Sequence, residues 1–171
     1  MMKNLTLTRR HFGLLAAAGI VAPARGFAQP YREITWDDLI PPGVPYSEII
    51  ADGEKDEVND TWSPIFDENG VKLNTALNGQ VIRMPGYIIP LETVADGVTE
   101  FVLVPYVGAC IHVPPPPPNQ LVFVTAKNPW PSDNLWDAIW VTGQMSTNLR
   151  STDLGDIGYE LAALNIEIYE W

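Results

Sequence analysis

Cysteine, histidine and basic residues are all scarce in this sequence. The 171-residue chain has one cysteine, Cys110, and two histidines, so an internal disulfide bond is excluded. It has 10 lysines and arginines against 21 aspartates and glutamates. A surface this acidic repels nucleic acids and anionic lipids and attracts cations or basic partners. We therefore expect no nucleic-acid partner.

The N-terminus lacks an apolar run long enough to cross a membrane. Its apolar stretch, residues 12–22, is shorter than the ~20 residues that a spanning helix needs. Arg9 and Arg10 precede this stretch within Thr-Arg-Arg-x-Phe, and Gly26 and Ala28 occupy the positions that a signal peptidase reads. This layout predicts a twin-arginine signal peptide over residues 1–28. The protein is then periplasmic and not embedded in the membrane.

Cleavage after Ala28 would make the remaining chain more acidic. It removes four basic residues and no acidic ones, which leaves a net charge of −15 (6 − 21). The remaining length suits one domain with a real core. We expect an irregular and partly helical segment over residues 29–75, followed by a β-barrel domain over residues 76–171.

The N-terminal segment is rich in acids and turn formers. The stretch Thr35-Trp36-Asp37-Asp38-Leu39 predicts a capped helical turn that ends at Pro41 and Pro42. The acids from Asp52 to Asp60 indicate a solvated or loosely ordered stretch.

From Gly79 onward, short β-branched and aromatic runs alternate with glycine and proline. The runs are "QVIRMPGYIIPL", "VTEFVLVPY", "QLVFVTA", "AIWVTGQM" and "YELAALNIEIYEW". Asp96-Gly97 predicts a tight turn, and Gly86 and Gly143 mark positions for a bulge or a sharp bend. We predict a mainly β protein with a small antiparallel OB-like barrel. The stretch from Trp130 to Trp140 is expected to cap one barrel end.

Alternation within these runs predicts which side chains form the core. The side chains expected to be largely buried are Val122, Val124, Val141, Ile166 and Ile168.

The stretch "VGACIHVPPPPPNQLVFV" places Cys110 two residues before His112. On an extended backbone the two side chains project from the same face. Thiolate and imidazole are good ligands for zinc and copper, so Cys110 and His112 are the candidate metal ligands. Further ligands would come from another chain or from a set of acids and methionines in this one. That set is Glu92, Asp133, Asp137, Met84 and Met145.

Two other interpretations of the pair stay open. A thiolate beside an imidazolium can be the nucleophile of a cysteine-dependent enzyme, although no oxyanion-hole motif accompanies it here. Alternatively, Cys110 is a small core residue and His112 bonds to the backbone. We expect a non-enzymatic role.

The proline run also has two interpretations. It is either a rigid connection between two strands or a polyproline II docking surface for a partner. Asn119 and Gln120 are expected to cap the turn and tie it to the barrel. The candidate partner-binding residues are Pro114, Pro115, Pro116, Pro117, Pro118, Asn119 and Gln120.

The stretches "ITWDDLIPP", "VIRMPGYIIPLE", "GACIHVPPPPPNQ" and "WVTGQM" resemble an uncharacterised family of exported bacterial proteins, catalogued as a domain of unknown function. The resemblance covers most of residues 34–145. It implies a periplasmic protein whose relatives tend to be encoded near MacB-like ABC exporter components, some in zinc-responsive settings. We therefore expect an accessory protein that binds or hands over zinc or copper, or that assists an ABC exporter component.

Overall fold

The computed structural model describes residues 30–56, 61–109, 115–131, 138–152 and 155–170. The expected signal peptide, residues 1–28, lies outside this range, as do residues 132–137 of the expected barrel cap. Eight strands are described: β1 (Arg32–Glu33), β2 (Ile49–Asp56), β3 (Thr61–Phe66), β4 (Val81–Val94), β5 (Gly97–Val104), β6 (Val122–Trp130), β7 (Ala138–Thr152) and β8 (Gly155–Ile168).

Strands β4 to β8 form a closed five-stranded barrel. The strand order is β4-β5-β6-β8-β7, and pairing of β4 with β7 closes the sheet. All of these pairs are antiparallel except β6 with β8, which run parallel from Val122↔Tyr159 to Ala126↔Ala163. This arrangement confirms the predicted OB-like barrel. Among the described residues, no helix has the length and apolar character needed to cross a membrane.

The barrel interior is filled by side chains that alternate along each strand. Ile82, Met84 and Ile88 of β4 point inward, and Phe101 and Leu103 of β5 join them. Gly86 lies at a close approach, because a Cβ there would come within 2.6 Å of the Leu103 side chain and 2.9 Å of Trp36. The glycine lets the Trp36 ring approach the strand.

Three of the five core predictions are confirmed. Val122, Val124 and Val141 are fully buried. Ile166 is only half-buried, and the prediction for Ile168 is wrong, since 66% of that residue is exposed. Among the described residues, the pairing of β6 with β8 ends at Ala126↔Ala163, so β8 continues past the region paired with β6 before it reaches Ile168.

Gly143 confirms the predicted bulge. Thr142 pairs with Asn165 whereas Gly143 pairs with Ala163, so Leu164 is an extra residue in β8 without a partner in β7. A Cβ on Gly143 would lie 2.4 Å from the Ala162 carbonyl oxygen. Only glycine fits this close backbone approach.

The N-terminal segment contains the predicted helical turn, a short 3₁₀ helix over Asp37–Leu39. The turn has no side chain that accepts a backbone N–H at its start, as a usual N-cap would. Instead, the carboxylate of Asp38 accepts hydrogen bonds from the Thr35 amide (2.8 Å) and hydroxyl (2.9 Å). Two further 3₁₀ turns, Glu68–Val71 and Thr75–Leu77, follow later in the segment.

The acidic stretch begins within an ordered strand. Residues up to Asp56 belong to β2, which among the described strands pairs with β3 alone in a separate two-stranded arm. Asp52 and Glu54 are exposed, which confirms the expected solvation. The first of the two alternatives therefore applies up to Asp56, where β2 pairs with β3, and residues 57–60 lie outside the described residues.

Tyr159 of β8 ties the N-terminal segment to the barrel. Its buried hydroxyl donates to the Leu39 carbonyl and accepts the Asn74 amide at 2.6 Å. Burial raises the pKa of Tyr159 to about 12. The Asn74 side chain adds a hydrogen bond to the Asp38 carbonyl at 2.8 Å.

Candidate functional site

The Cys-x-His stretch and the prolines lie in the connection between β5 and β6. Cys110, His112 and Pro114 lie outside the described residues, so the structure places the two ends of this connection rather than the pair itself. Those ends are Pro105 to Ala109 after β5 and Pro115 to Leu121 before β6.

The first end is fixed by Ala109 on the outer face of the barrel. Phe101 and Leu103 of β5 point inward, so the alternating Val102 and Val104 point outward. Ala109 is fully buried in a cluster with both valines and with Phe123 of β6. The backbone therefore folds back onto β5 and β6 immediately before Cys110.

Gly108 makes this reversal possible. Its φ of +85° lies in the left-handed region, which side chains with a Cβ rarely adopt. The small residue Ala109 follows, and because it is fully buried, a larger side chain there would have to displace its neighbours.

The second end is fixed by the 3₁₀ turn Pro118–Gln120. Pro116 and Pro117 are buried, and the Gln120 amide donates to the Pro117 carbonyl at 2.8 Å. The buried Asn119 side-chain amide donates to the carbonyls of Asn69 (2.8 Å) and Lys72 (3.2 Å).

Gln120 completes this second anchor. Its buried side-chain amide donates to the Trp36 carbonyl at 3.1 Å and to the Asn119 carbonyl at 3.0 Å. Asn119 and Gln120 therefore close the turn as expected, and their side-chain hydrogen bonds go to the N-terminal segment. The turn also packs against the barrel, since a Cβ on Gly158 of β8 would lie 2.8 Å from the Pro118 carbonyl oxygen.

The burial of this turn limits what a partner could touch. Pro116, Pro117, Asn119 and Gln120 face the interior, whereas Pro115 and Pro118 are only half-buried. Docking through the proline run stays a prediction, and within the described part its accessible side chains are Pro115 and Pro118.

An open groove of about 310 Å³ lies beside these two prolines. It separates the β2–β3 arm from the barrel. Trp62 and Phe66 of β3 form one wall, and Asp156 of β8 lies at the groove as well. The groove is therefore lined by the prolines that follow Cys110 and His112 in the chain.

The structure narrows the choice of further metal ligands. Met84 and Met145 are fully buried inside the barrel, so they are not available to a solvent-facing site. Glu92 is exposed near the turn of the β4–β5 hairpin, paired with Glu100, and Asp133 and Asp137 lie outside the described residues. Within the described ranges, no three His, Cys, Asp or Glu side chains are grouped to hold a metal ion.

Comparison with known proteins identifies the family. The family model described as "Protein of unknown function (DUF3299)" matches residues 36–168. The chain belongs to the DUF3299 family. Its fold is similar to the crystal structure of a DUF3299 family protein from Pseudomonas aeruginosa PAO1, at 35% sequence identity and a TM-score of 0.66. The match covers 82% of this chain and 97% of that chain. No curated protein matches.

Sequence reasoning missed two features of this DUF3299 protein. Ala109 and Tyr159 hold the surroundings of the site in place. Ala109 belongs to the Gly-Ala-Cys-Ile-His motif, but its burial was not predicted, and Tyr159 belongs to no motif. The small residues Gly108 and Ala109 did signal a close backbone approach. Tyr159 gave no signal, because its partners Leu39 and Asn74 are 120 and 85 positions away.

Proposed function

We propose that this DUF3299 protein is an exported periplasmic accessory protein that binds zinc or copper through Cys110 and His112 and hands it over to a membrane transport complex. The metal is then a cargo rather than a resident cofactor. The observation that carries the proposal is that both ends of the Cys-x-His stretch are anchored, by Ala109 on one side and by Pro116 to Gln120 on the other.

Anchoring favours metal binding for an entropic reason. A flexible segment loses conformational freedom when two of its side chains must hold one ion. Here a short stretch connects two fixed points, so part of that freedom is already lost on folding. The acidic surface adds a long-range attraction for cations.

The donor set fits a labile site better than a structural one. A structural zinc takes four protein ligands, whereas this stretch supplies one thiolate and one imidazole. Two strong ligands leave coordination positions open for water or for ligands of a receiving protein. This is the arrangement that transfer of a metal requires.

The partner in the proposal is an ABC exporter component. Its support is the resemblance to a family encoded near MacB-like exporters, together with the groove between the β2–β3 arm and the prolines. Pro115 and Pro118 line this groove with Trp62 and Phe66, so a partner docked there would contact the prolines that follow Cys110 and His112 in the chain.

Titration of the purified exported protein with zinc and copper, against a chromophoric competitor, tests the proposal. Cys110→Ser and His112→Ala should each weaken binding by about tenfold or more, while the metal-free melting temperature stays unchanged. Leu164→Ala, an exposed position on β8, is the control and should bind normally.

Binding should also weaken as pH falls, because protons compete for the thiolate and the imidazole. The proposal is wrong if the wild-type protein binds neither metal. It is also wrong if both variants lose stability without metal, since Cys110 and His112 then have a structural role. Rapid alkylation of Cys110 that depends on His112, without metal binding, would instead indicate a cysteine-dependent enzyme.

A further inference from the structure

A second pocket lies at the junction of the N-terminal turn with the barrel. Three aromatic side chains line it, and they come from distant parts of the chain. They are Trp36 at the start of the 3₁₀ turn, Tyr87 of β4 and Tyr169 directly after β8. The other described lining residues are Pro85, Gly86, Pro105 and Ala138. The described lining contains no lysine or arginine.

The size of the pocket suits one small group. Its volume is about 140 Å³. For comparison, an engineered cavity of about 150 Å³ accepts one benzene molecule. The pocket therefore has room for a single ring or for one trimethylammonium group, and not for a larger ligand body. It is open to solvent, so the rest of a ligand can extend outward.

The net negative charge of the chain favours a cationic group over a neutral ring. The exposed carboxylates Asp37 and Glu170 directly follow Trp36 and Tyr169 in the chain. The chain as a whole has a net charge of −11. Aromatic walls attract cations through the negative faces of their π-systems, and quaternary ammonium groups are recognised in this way.

The adjoining surface already holds an internal cation by the same interaction. The guanidinium of Arg83 lies 4.2 Å from the ring centre of Trp140 and 5.7 Å from that of Tyr31. Trp140 in turn packs against Tyr169, with ring centres 5.1 Å apart. Tyr169 of the pocket is thus in ring contact with Trp140, and Trp140 and Tyr31 together hold the Arg83 cation.

We infer that the pocket formed by Trp36, Tyr87 and Tyr169 binds a quaternary ammonium group, as found in choline and betaine. This site is separate from Cys110 and His112 and does not depend on the metal proposal. Gly86 belongs to its construction, because a Cβ there would displace Trp36.

A pair of isosteric ligands tests the inference on the wild-type protein. Choline and 3,3-dimethylbutan-1-ol have the same shape, and only choline is charged. Calorimetric titration in the presence of a metal chelator should show that choline binds more tightly by about fivefold or more. Equal binding of the two, or binding of neither, would overturn the inference.

Variants then locate the binding. Trp36→Leu and Tyr169→Leu should each lower choline affinity, whereas Trp62→Leu on the β2–β3 arm should leave it unchanged. Melting curves without ligand show whether each variant folds. If Trp36→Leu does not fold, the Tyr169→Leu variant and the comparison of the two ligands still test whether the pocket binds choline. Unchanged choline affinity in a folded Tyr169→Leu variant would refute this location.

Discussion

Tyr159→Phe should destabilise the protein through a single oxygen atom. The side chain is fully buried, and its hydroxyl both donates to the Leu39 carbonyl and accepts the Asn74 amide. Phenylalanine keeps the ring and its packing but leaves both backbone groups without this partner. Because Leu39 is fully buried, water cannot readily replace the oxygen.

The magnitude follows from the two groups left behind. A buried polar group that loses its partner costs roughly 1–3 kcal/mol. The Asn74 residue is only half-buried, so its share lies at the low end. We expect the free energy of unfolding to fall by about 2–4 kcal/mol in Tyr159→Phe.

Urea unfolding followed by tryptophan fluorescence measures this change. Tyr46→Phe is the matched control, because Tyr46 is 50% exposed. The free energy of unfolding of this variant should change by less than about 0.5 kcal/mol. If the free energy of unfolding of Tyr159→Phe changes as little as that of this control, the two hydrogen bonds do not hold the N-terminal segment to the barrel.

The pH dependence gives an independent check on Tyr159. Its pKa is raised to about 12 from the usual 10.0, so the folded state keeps this proton where the unfolded state loses it. The stability that results is fully present below pH 10 and is lost as pH rises from there towards 12. Tyr159→Phe should lack this loss.

Two further predictions concern acid stability and export. The Ser47 hydroxyl donates to Asp67 at 2.7 Å and, with the Asn69 and Glu48 backbones, lowers the pKa of that carboxyl below 3.8. The stabilisation that ionised Asp67 contributes is therefore present above pH 3.8 and is lost as pH falls through the lowered pKa. Ser47→Ala should raise the Asp67 pKa in an NMR titration and move acid unfolding to higher pH, and an unshifted Asp67 pKa would contradict this. Lysine at both Arg9 and Arg10 should leave precursor in the cytoplasm, as seen by fractionation, and normal export of that variant would rule out the twin-arginine signal.

The barrel could be predicted from sequence because its signals are local. A strand, a tight turn and a bulge each depend on a few neighbouring residues. The structure confirms the β-branched strands, the Asp96-Gly97 turn and the bulge at Gly143. The burial of Ile168 was predicted wrongly because alternation indicates which face of the strand a side chain lies on. It does not indicate whether another element covers that face. Whether that face is covered depends on where β6 leaves β8, which is a property of the closed barrel.

The sites divide in the same way. Cys110 and His112 lie two positions apart, so the motif can be recognised in the sequence alone. The aromatic pocket cannot, because Trp36, Tyr87 and Tyr169 share no spacing and meet only when β4 and the end of β8 reach the N-terminal turn. Burial of Pro116 and Pro117 was equally hidden, since a proline run reads the same whether it faces solvent or the interior.

The effect of Tyr159→Phe should extend beyond its own hydrogen bonds. The Trp36 carbonyl that accepts Gln120 belongs to the same turn as Leu39, which Tyr159 holds. The turn after the prolines is therefore fixed to a segment that is itself fixed by Tyr159. Loosening that segment should raise hydrogen exchange at the Gln120 amide as well as at Asn74, while the Gly143 amide inside the barrel sheet stays protected. Faster exchange at Asn74 alone would show that the proline anchor stands without Tyr159.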